Sequence, residues 1–326
     1  MKNNRLFKNL LGLSIIAAMG FFFSSCGDDT TPPTLKISIN RVNGFTVDIG
    51  AKASSDVVSW HWEYGDGVTS DSVGGHSYTY AESGDYTIKC TVTNADGLTA
   101  EATEDVKIAT IEELLTGGSE KTWKVASVAS SIDGIGFTID ENLTNSMPIT
   151  GDLMKDILNL PSETDNLFTF KADGTLTINN GNGNLPVFWV YGATSGYVPI
   201  EKSNYELIWV VKEAAPKVAT WKLTKNTSLK LNVVDADIVN SPDKGGTSNT
   251  VTLNDKNVLT LKNGGFLGFN DIPTSDEDQY ILIRNISNTE LTITIFAHLY
   301  IGDPETDGQM YKYPSSSVTF TLEAIQ

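Results

Sequence analysis

The side chains best suited to recognition chemistry in this 326-residue chain are aromatic, and they cluster in its C-terminal two thirds. Four of the six tryptophans lie there: Trp123, Trp189, Trp209 and Trp221. An exposed aromatic ring offers a flat apolar face on which the C–H face of a sugar can stack. In "LPVFWVYGATSGYVP", Trp189 and Tyr191 alternate with Phe188 and Val190, and Gly and Pro fragment the flanks. Period-two alternation predicts a strand with one face in the core and the other open. Trp189 and Tyr191, with Tyr197 in the following loop, are therefore candidate glycan-binding residues. Trp209, in "YELIWVV", shares a predicted face with Tyr205, Leu207 and Val211, which read as core, yet sheet platforms also present such a ring; both readings stay open. Tyr300, Tyr311 and Tyr313 surround the turn-rich "GDPETDGQM" and could line the same groove. Trp123 and Trp221 have apolar neighbours at period two and are expected in the core.

Catalytic constellations are hard to assemble. The three histidines, His61, His76 and His298, show no H-E-x-x-H spacing. Zinc needs a set of Cys, His or carboxylate ligands that this pattern does not supply, so neither a metal nor a cofactor is expected. "GATSGY" puts Thr194 where a nucleophile elbow needs Ser. "GGFLGF" lacks the Lys and the strand-to-helix setting of a phosphate loop and is expected to be a strand–turn element. No E-x-D-x-x-E strand pattern of the laminarinase type occurs. A glycosidase stays as the weaker alternative, because folding rather than spacing brings paired carboxylates together.

A second aromatic cluster, "WHWEYGDG" at residues 60–67, raises the same question. Alternation puts Trp60, Trp62 and Tyr64 on one strand face and His61 and Glu63 on the other. "YTIKCTV" repeats the device, with Tyr86, Ile88, Cys90 and Val92 on one side, so Cys90 reads as a small buried hydrophobe. The stretch "WHWEYGDGVTS…YTYAESGDYTIKCTVTNADG" resembles the PKD domain, an immunoglobulin-like β-sandwich. Trp62, Tyr64, Gly65, Asp66 and Gly67 fall on its W-x-F-G-D-G pattern, and Tyr80, Gly84 and Tyr86 on its second motif, with Tyr64 and Tyr78 replacing the usual Phe and His. The resemblance implies that the Trp packs in the core and that Gly-Asp-Gly makes a tight turn, with Asp66 capping backbone amides. A calcium site using Asp66 or Asp71 lacks an oxygen-rich loop. Such a module beside an anchor implies a spacer, with the function downstream.

The N-terminus has Lys2, Arg5 and Lys8 before an apolar run, Leu10–Phe23, shorter than the roughly twenty residues a spanning helix needs. It reads as an export signal. "FFFSSCGDD" resembles a bacterial lipobox, which implies acylation of Cys26. Asp28 and Asp29 resemble the acidic signal that sends Bacteroidota lipoproteins to the outer face of the outer membrane. Acylation would leave Cys90 without a partner, so no disulfide framework is expected. The formal charge of −17 argues against nucleic acid, anionic lipid and strongly acidic polysaccharides as partners.

The expected organisation is a signal peptide over residues 1–25, the lipidated Cys and linker over 26–33, a PKD domain over 34–108 and a C-terminal β domain over 109–326. "TIEELL" and "MKDILNL" are the only predicted helices. Strand and turn patterning makes both domains all-β, the second a β-sandwich or jelly-roll, with a lipocalin-like closed barrel as the alternative. "LTGGSEKTWKV", "LFTFKADGTLTI", "LTLKNGGFLGF" and "QYILIRNISNTELTI" resemble a C-terminal domain found beside PKD modules in lipoproteins of Bacteroidota polysaccharide-utilisation loci. That resemblance is patchy. It implies a non-catalytic surface protein that binds a polysaccharide or oligosaccharide, with a neutral β-glucan as the expected ligand and an outer-membrane glycan transporter as neighbour. A surface adhesin or structural lipoprotein for a protein partner is the alternative.

Overall fold

The computed structural model describes residues 31–136, 139–160, 166–181, 183–212, 219–235, 247–271, 278–298 and 313–325. Cys26, Tyr300 and Tyr311 lie outside the described residues. The chain divides into two compact units, Met1–Thr110 and Ile111–Gln326.

Strands β1 (Leu35–Asn43), β2 (Thr46–Ala53), β3 (Val57–Glu63) and β4 (Thr69–Ser70) open the first unit. They are followed by β5 (His76–Thr79), β6 (Gly84–Asn94) and β7 (Thr99–Ile108). They form two sheets, ordered β1-β2-β5 and β4-β3-β6-β7. Alternation along β3 and β6 directs Trp62, Ile88, Cys90 and Val92 into one core, each with no measurable exposure. Trp60, stacked on Trp62 with ring centroids 6.2 Å apart, is half-buried at the edge of this core. The Trp62 indole donates to the Ser72 carbonyl at 2.9 Å. Gly65 has φ +86, and a Cβ there would stand 2.8 Å from the Thr87 carbonyl oxygen, so only glycine serves. Asp66 accepts from the Val68 amide at 3.0 Å and from the Tyr78 hydroxyl at 2.6 Å. The aromatics of "WHWEYGDG" are thus the inside and the tight turn of a small sandwich.

The second unit begins with helix α1 (Ile111–Thr116) and β8 (Glu120–Val125). Next come β9 (Gly134–Gly136), β10 (Met147–Pro148), β11 (Leu167–Lys171) and β12 (Thr175–Asn179). Then follow β13 (Asn184–Phe188), α2 (Trp189–Thr194), β14 (Glu201–Lys202) and β15 (Ile208–Lys212). The chain closes with β16 (Ala219–Asp235), β17 (Thr247–Lys262), β18 (Gln279–Ile286), β19 (Glu290–Ala297) and β20 (Ser316–Ala324).

Eight of these strands run in the order β8-β11-β12-β16-β17-β18-β19-β20, and β20 pairs back to β8. The unit is therefore a closed antiparallel barrel, the second of the two forms expected for it. Closure leaves no free edge in the ring. Its interior is filled by Trp123, Phe168, Phe170, Ile293 and Phe320. Helix α1 packs on β11 and β18, which lie opposite each other in the ring, and so covers one end. Lys121 fixes that cap by donating to the carbonyls of Leu114 and Asn288 at 2.8 and 3.0 Å.

Among the described residues, two insertions leave the ring. The first, between β8 and β11, lays β9 along β20 and a single π turn, Leu153–Ile157, where "MKDILNL" predicted a short helix. It buries the outer face of β19 and β20. Thr292 pairs with Thr321 and Thr294 with Thr319 through hydroxyls 2.9 and 2.7 Å apart. Asp133 accepts from the Thr321 amide and hydroxyl at 3.1 and 3.0 Å and from the Ser130 hydroxyl at 2.6 Å. A separate cluster of Ile139, Leu143, Leu229, Leu231, Leu282 and Phe296 seals the neighbouring wall. The second insertion, β13 to β15, carries most of the candidate residues.

Four strands expected from "ATWKLT", "SLKLNVV", "TVTLND" and "NVLTLKN" are two long ones. Asn226 and Asp255, which look like turn formers, sit at φ 47 and 53. They mark irregularities in the β16–β17 ladder rather than its ends.

Candidate functional site

The second insertion is a three-stranded antiparallel sheet, β13-β15-β14, with α2 against it. It is mounted on the barrel by the segment after β17. The Phe188 amide donates to the Asn270 carbonyl at 3.1 Å, and Asn270 donates to Pro186 at 3.0 Å. Phe188 packs on Phe269, whose ring in turn meets Phe320 inside the barrel, with centroids 5.5 Å apart in both pairs. "GGFLGF" follows β17 as a turn and an irregular segment, in line with the strand–turn reading, and its Phe269 joins the second insertion to the barrel while Phe266 packs on Phe168. Gly268 (φ +72) is held so near Phe320 that a Cβ would lie 2.6 Å from its ring.

Alternation predicted one strand through "VFWVYG", with Trp189 and Tyr191 on a common face. That reading is corrected. All five residues of β13 are buried. The chain then turns into α2 at Trp189, where the Trp189 amide donates to the Leu207 carbonyl at 3.0 Å. Tertiary contact overrides the strand propensity of Trp, Val and Tyr. In a helix, positions two apart point to nearly opposite sides. Tyr191 consequently turns inward with 9% exposure, while Trp189 remains half-buried. Tyr197 stays near Tyr191, ring centroids 5.8 Å apart, and is half-buried at the start of a loop that exposes Val198 and Ile200.

Trp209 stands on the central strand of the insertion, opposite Val187 on one side and Lys202 on the other. It is half-buried, flanked by the fully buried Ile208 and Val210. Helix α2 rests against its ring at Gly192, where a Cβ would come within 2.7 Å of Cε3. The Lys202 ammonium lies 5.3 Å from the ring centroid and 2.8 Å from a Glu206 carboxylate oxygen. Glu206 has φ 55, a left-handed conformation uncommon for a non-glycine residue.

The indole N–H groups separate the tryptophans by role. Trp62, Trp123 and Trp221 each donate to a backbone carbonyl, at 2.9, 2.9 and 3.0 Å. Trp123 is fully buried, and Trp221 packs on Phe170 in the barrel wall. Trp189 and Trp209 differ: each Nε1 is shielded from solvent and has no acceptor among the described residues. A shielded donor without a partner is uncommon in a native fold.

Tyr313 precedes Pro314, whose carbonyl accepts from the Val234 amide at 3.0 Å, so its backbone lies beside β16 at the entry to β20. Lys202, Glu206 and Gly192 were missed in the sequence. Only the Lys–x–x–x–Glu spacing of "KSNYE" hinted at a pair, and that spacing suggests a helix face rather than a strand end.

Among the described residues no three His, Cys, Asp or Glu side chains gather as a metal site requires. Asp71 meets His61 at 2.8 Å, and Asp66 is engaged in its turn.

Residues 31–109 match the family model of the PKD domain. The first unit is a PKD domain. The PKD domain is similar to the PKD1 domain of the Vibrio cholerae metalloprotease PrtV, 28% identical, covering 24% of this chain and 100% of that one, with a TM-score of 0.23. It is likewise similar to the PKD1 domain of Vibrio anguillarum Epp, 25% identical over 25% of this chain and 99% of that one, TM-score 0.24. A microbial collagenase of Vibrio alginolyticus is 30% identical over 150 residues, which are 44% of this chain but 16% of the collagenase. The chain thus spans under a fifth of that relative's length. A solved structure of carbohydrate-binding modules from the β-sandwich superfamily aligns over 92% of this chain and 94% of its own, 12% identical, with a TM-score of 0.24.

Proposed function

We propose that this chain is a non-catalytic capture protein for a neutral extracellular polysaccharide, held at the outer membrane by a lipid on Cys26, with the PKD domain as spacer. The observation that carries the reading is the pair of half-buried indoles, Trp189 and Trp209, whose N–H donors find no acceptor among the described residues. A sugar has a C–H face that can stack on the part of each ring left open, and its hydroxyls can reach an indole N–H only if binding uncovers it. The lipid anchor and the surface address rest on "FSSC" and the acidic pair Asp28 and Asp29. A neighbouring glycan transporter belongs to the same reading, with a β-glucan as the first ligand to try.

Affinity electrophoresis against plant, algal and fungal glycans tests this directly. Retardation by a neutral glycan, abolished in Trp189→Ala or Trp209→Ala and accompanied by no release of reducing ends, is the expected result. Retardation that survives both substitutions moves the site elsewhere, and release of reducing ends makes the protein a hydrolase. The exposure of Val198 (81%) and Ile200 (54%) beside Tyr197 favours a second reading, a surface adhesin contacting a protein partner. Under that reading no glycan retards the protein.

A further inference from the structure

Resting on the glycan reading of Trp209, we infer that Lys202 and Glu206 determine specificity by reading two adjacent hydroxyls of the sugar stacked on that ring. The site would then select chains whose internal units keep a free vicinal diol. Among glucans these are 1,2-, 1,4- and 1,6-linked chains. In a 1,3-linked chain the linkage occupies position 3, and the internal units have no adjacent free pair.

Stability does not account for the Lys202–Glu206 arrangement. Lys202 and Glu206 side chains are 40% and 68% exposed, and an exposed ion pair adds little to a fold. A solvated ammonium over an aromatic ring also adds little. Yet Glu206 occupies left-handed backbone at φ 55, which a non-glycine residue holds only where the surroundings enforce it. The Glu206 amide donates to the Ser203 carbonyl at 3.0 Å, and the Ser203 hydroxyl accepts from the Ile208 amide at 2.9 Å, so the turn is tied to the start of β15. The strained residue brings a carboxylate to the ammonium beside Trp209.

The chemistry fits a diol. The ammonium has three donors and uses one on Glu206 at 2.8 Å, leaving two for sugar oxygens. The carboxylate keeps acceptor capacity for a hydroxyl proton. One hydroxyl can accept from Lys202 while its neighbour donates to Glu206, and the pair stays electrically neutral. That neutrality suits an uncharged glycan in a chain of net charge −17.

Calorimetric titration of the full chain with cellohexaose (β-1,4) and laminarihexaose (β-1,3) tests the inference, using wild type, Lys202→Met, Glu206→Gln and Trp209→Ala, with thermal melts confirming each fold. Wild type should prefer cellohexaose by roughly tenfold, the scale of one charge-assisted hydrogen bond. Lys202→Met and Glu206→Gln should each erase that preference while keeping the weaker laminarihexaose affinity, and Lys202→Arg should restore part of it. Equal wild-type affinities, or a preference that persists in both variants, overturns the inference and leaves the glycan reading standing. Unchanged binding of both sugars by Trp209→Ala removes the glycan site itself from this ring.

Discussion

A Cβ on Gly192 would stand 2.7 Å from Cε3 of Trp209, so the helix carrying Trp189 is seated directly on the ring of the neighbouring strand. Any side chain at position 192 must lift α2 or tilt the indole. Gly192→Ala is expected to destabilise the second unit by about 1–3 kcal/mol, the usual cost of overpacking. It should also shift the tryptophan emission and weaken glycan binding. Denaturant unfolding followed by fluorescence checks this; an unaltered emission maximum with wild-type stability would mean that the helix does not rest on Trp209.

Trp123 and Trp189 should behave as opposites. Trp123→Ala removes a fully buried indole that donates to Leu115, and should cost about 3–5 kcal/mol of stability. Trp189→Ala removes a half-buried ring without an acceptor, and should leave stability nearly intact while weakening glycan binding roughly tenfold. Thermal unfolding and calorimetry on both variants decide it; destabilisation by Trp189→Ala alone would exchange their roles.

Burial pushes the Cys90 thiol up to about 12. The unfolded thiol ionises near its ordinary value of 9. A raised folded value means that the stabilisation is complete below pH 9 and drains away as pH climbs from about 9 toward 12. The PKD domain should therefore resist thiol-alkylating reagents at neutral pH and lose stability through that alkaline window. Cys90→Ala should flatten the part of the profile due to the thiol, and rapid alkylation of the native protein at pH 8 would contradict the burial.

Asp133 ties the first insertion to β20, and its loss would strand the Thr321 amide in the interior and leave the hydroxyl with Thr292 alone. Asp133→Ala should destabilise the second unit by about 3 kcal/mol, the scale of leaving buried donors unpaired. Hydrogen exchange should show Thr319 and Thr321 losing protection first. Exchange unchanged from wild type would mean that the insertion holds itself in place without the carboxylate.

Period-two patterning made the PKD strands legible, because β3 and β6 each bury one face and expose the other. The same rule failed at "VFWVYG". There the deciding contacts come from Asn270 and Leu207, far along the chain, and no local pattern encodes them. It failed again at Asn226 and Asp255, since a residue that tolerates left-handed backbone serves a bulge as readily as a turn. β19 and β20 are covered on both faces, so their threonines form a buried hydroxyl ladder that no period-two rule describes. Period-two neighbours placed Trp123 in the core, where it lies, but did not describe Trp189, which begins a helix. It could not show that Lys202 and Glu206 meet over Trp209, because that meeting depends on one strained backbone angle.

The β8–β20 pairing also sets when the molecule can fold. Val125 and Leu322 are register partners, and nearly the whole second unit must be synthesised between them. A ring of this kind stays open until its last strand arrives, and contacts so distant in sequence make the closing step slow. A chain lacking β20 has β8 and β19 both showing unpaired edges, the surfaces most prone to aggregation. Premature termination anywhere before Ser316 should thus be more damaging than a missense change of similar size. Keeping the unfinished ring apart from other copies until β20 is available becomes a requirement for yield.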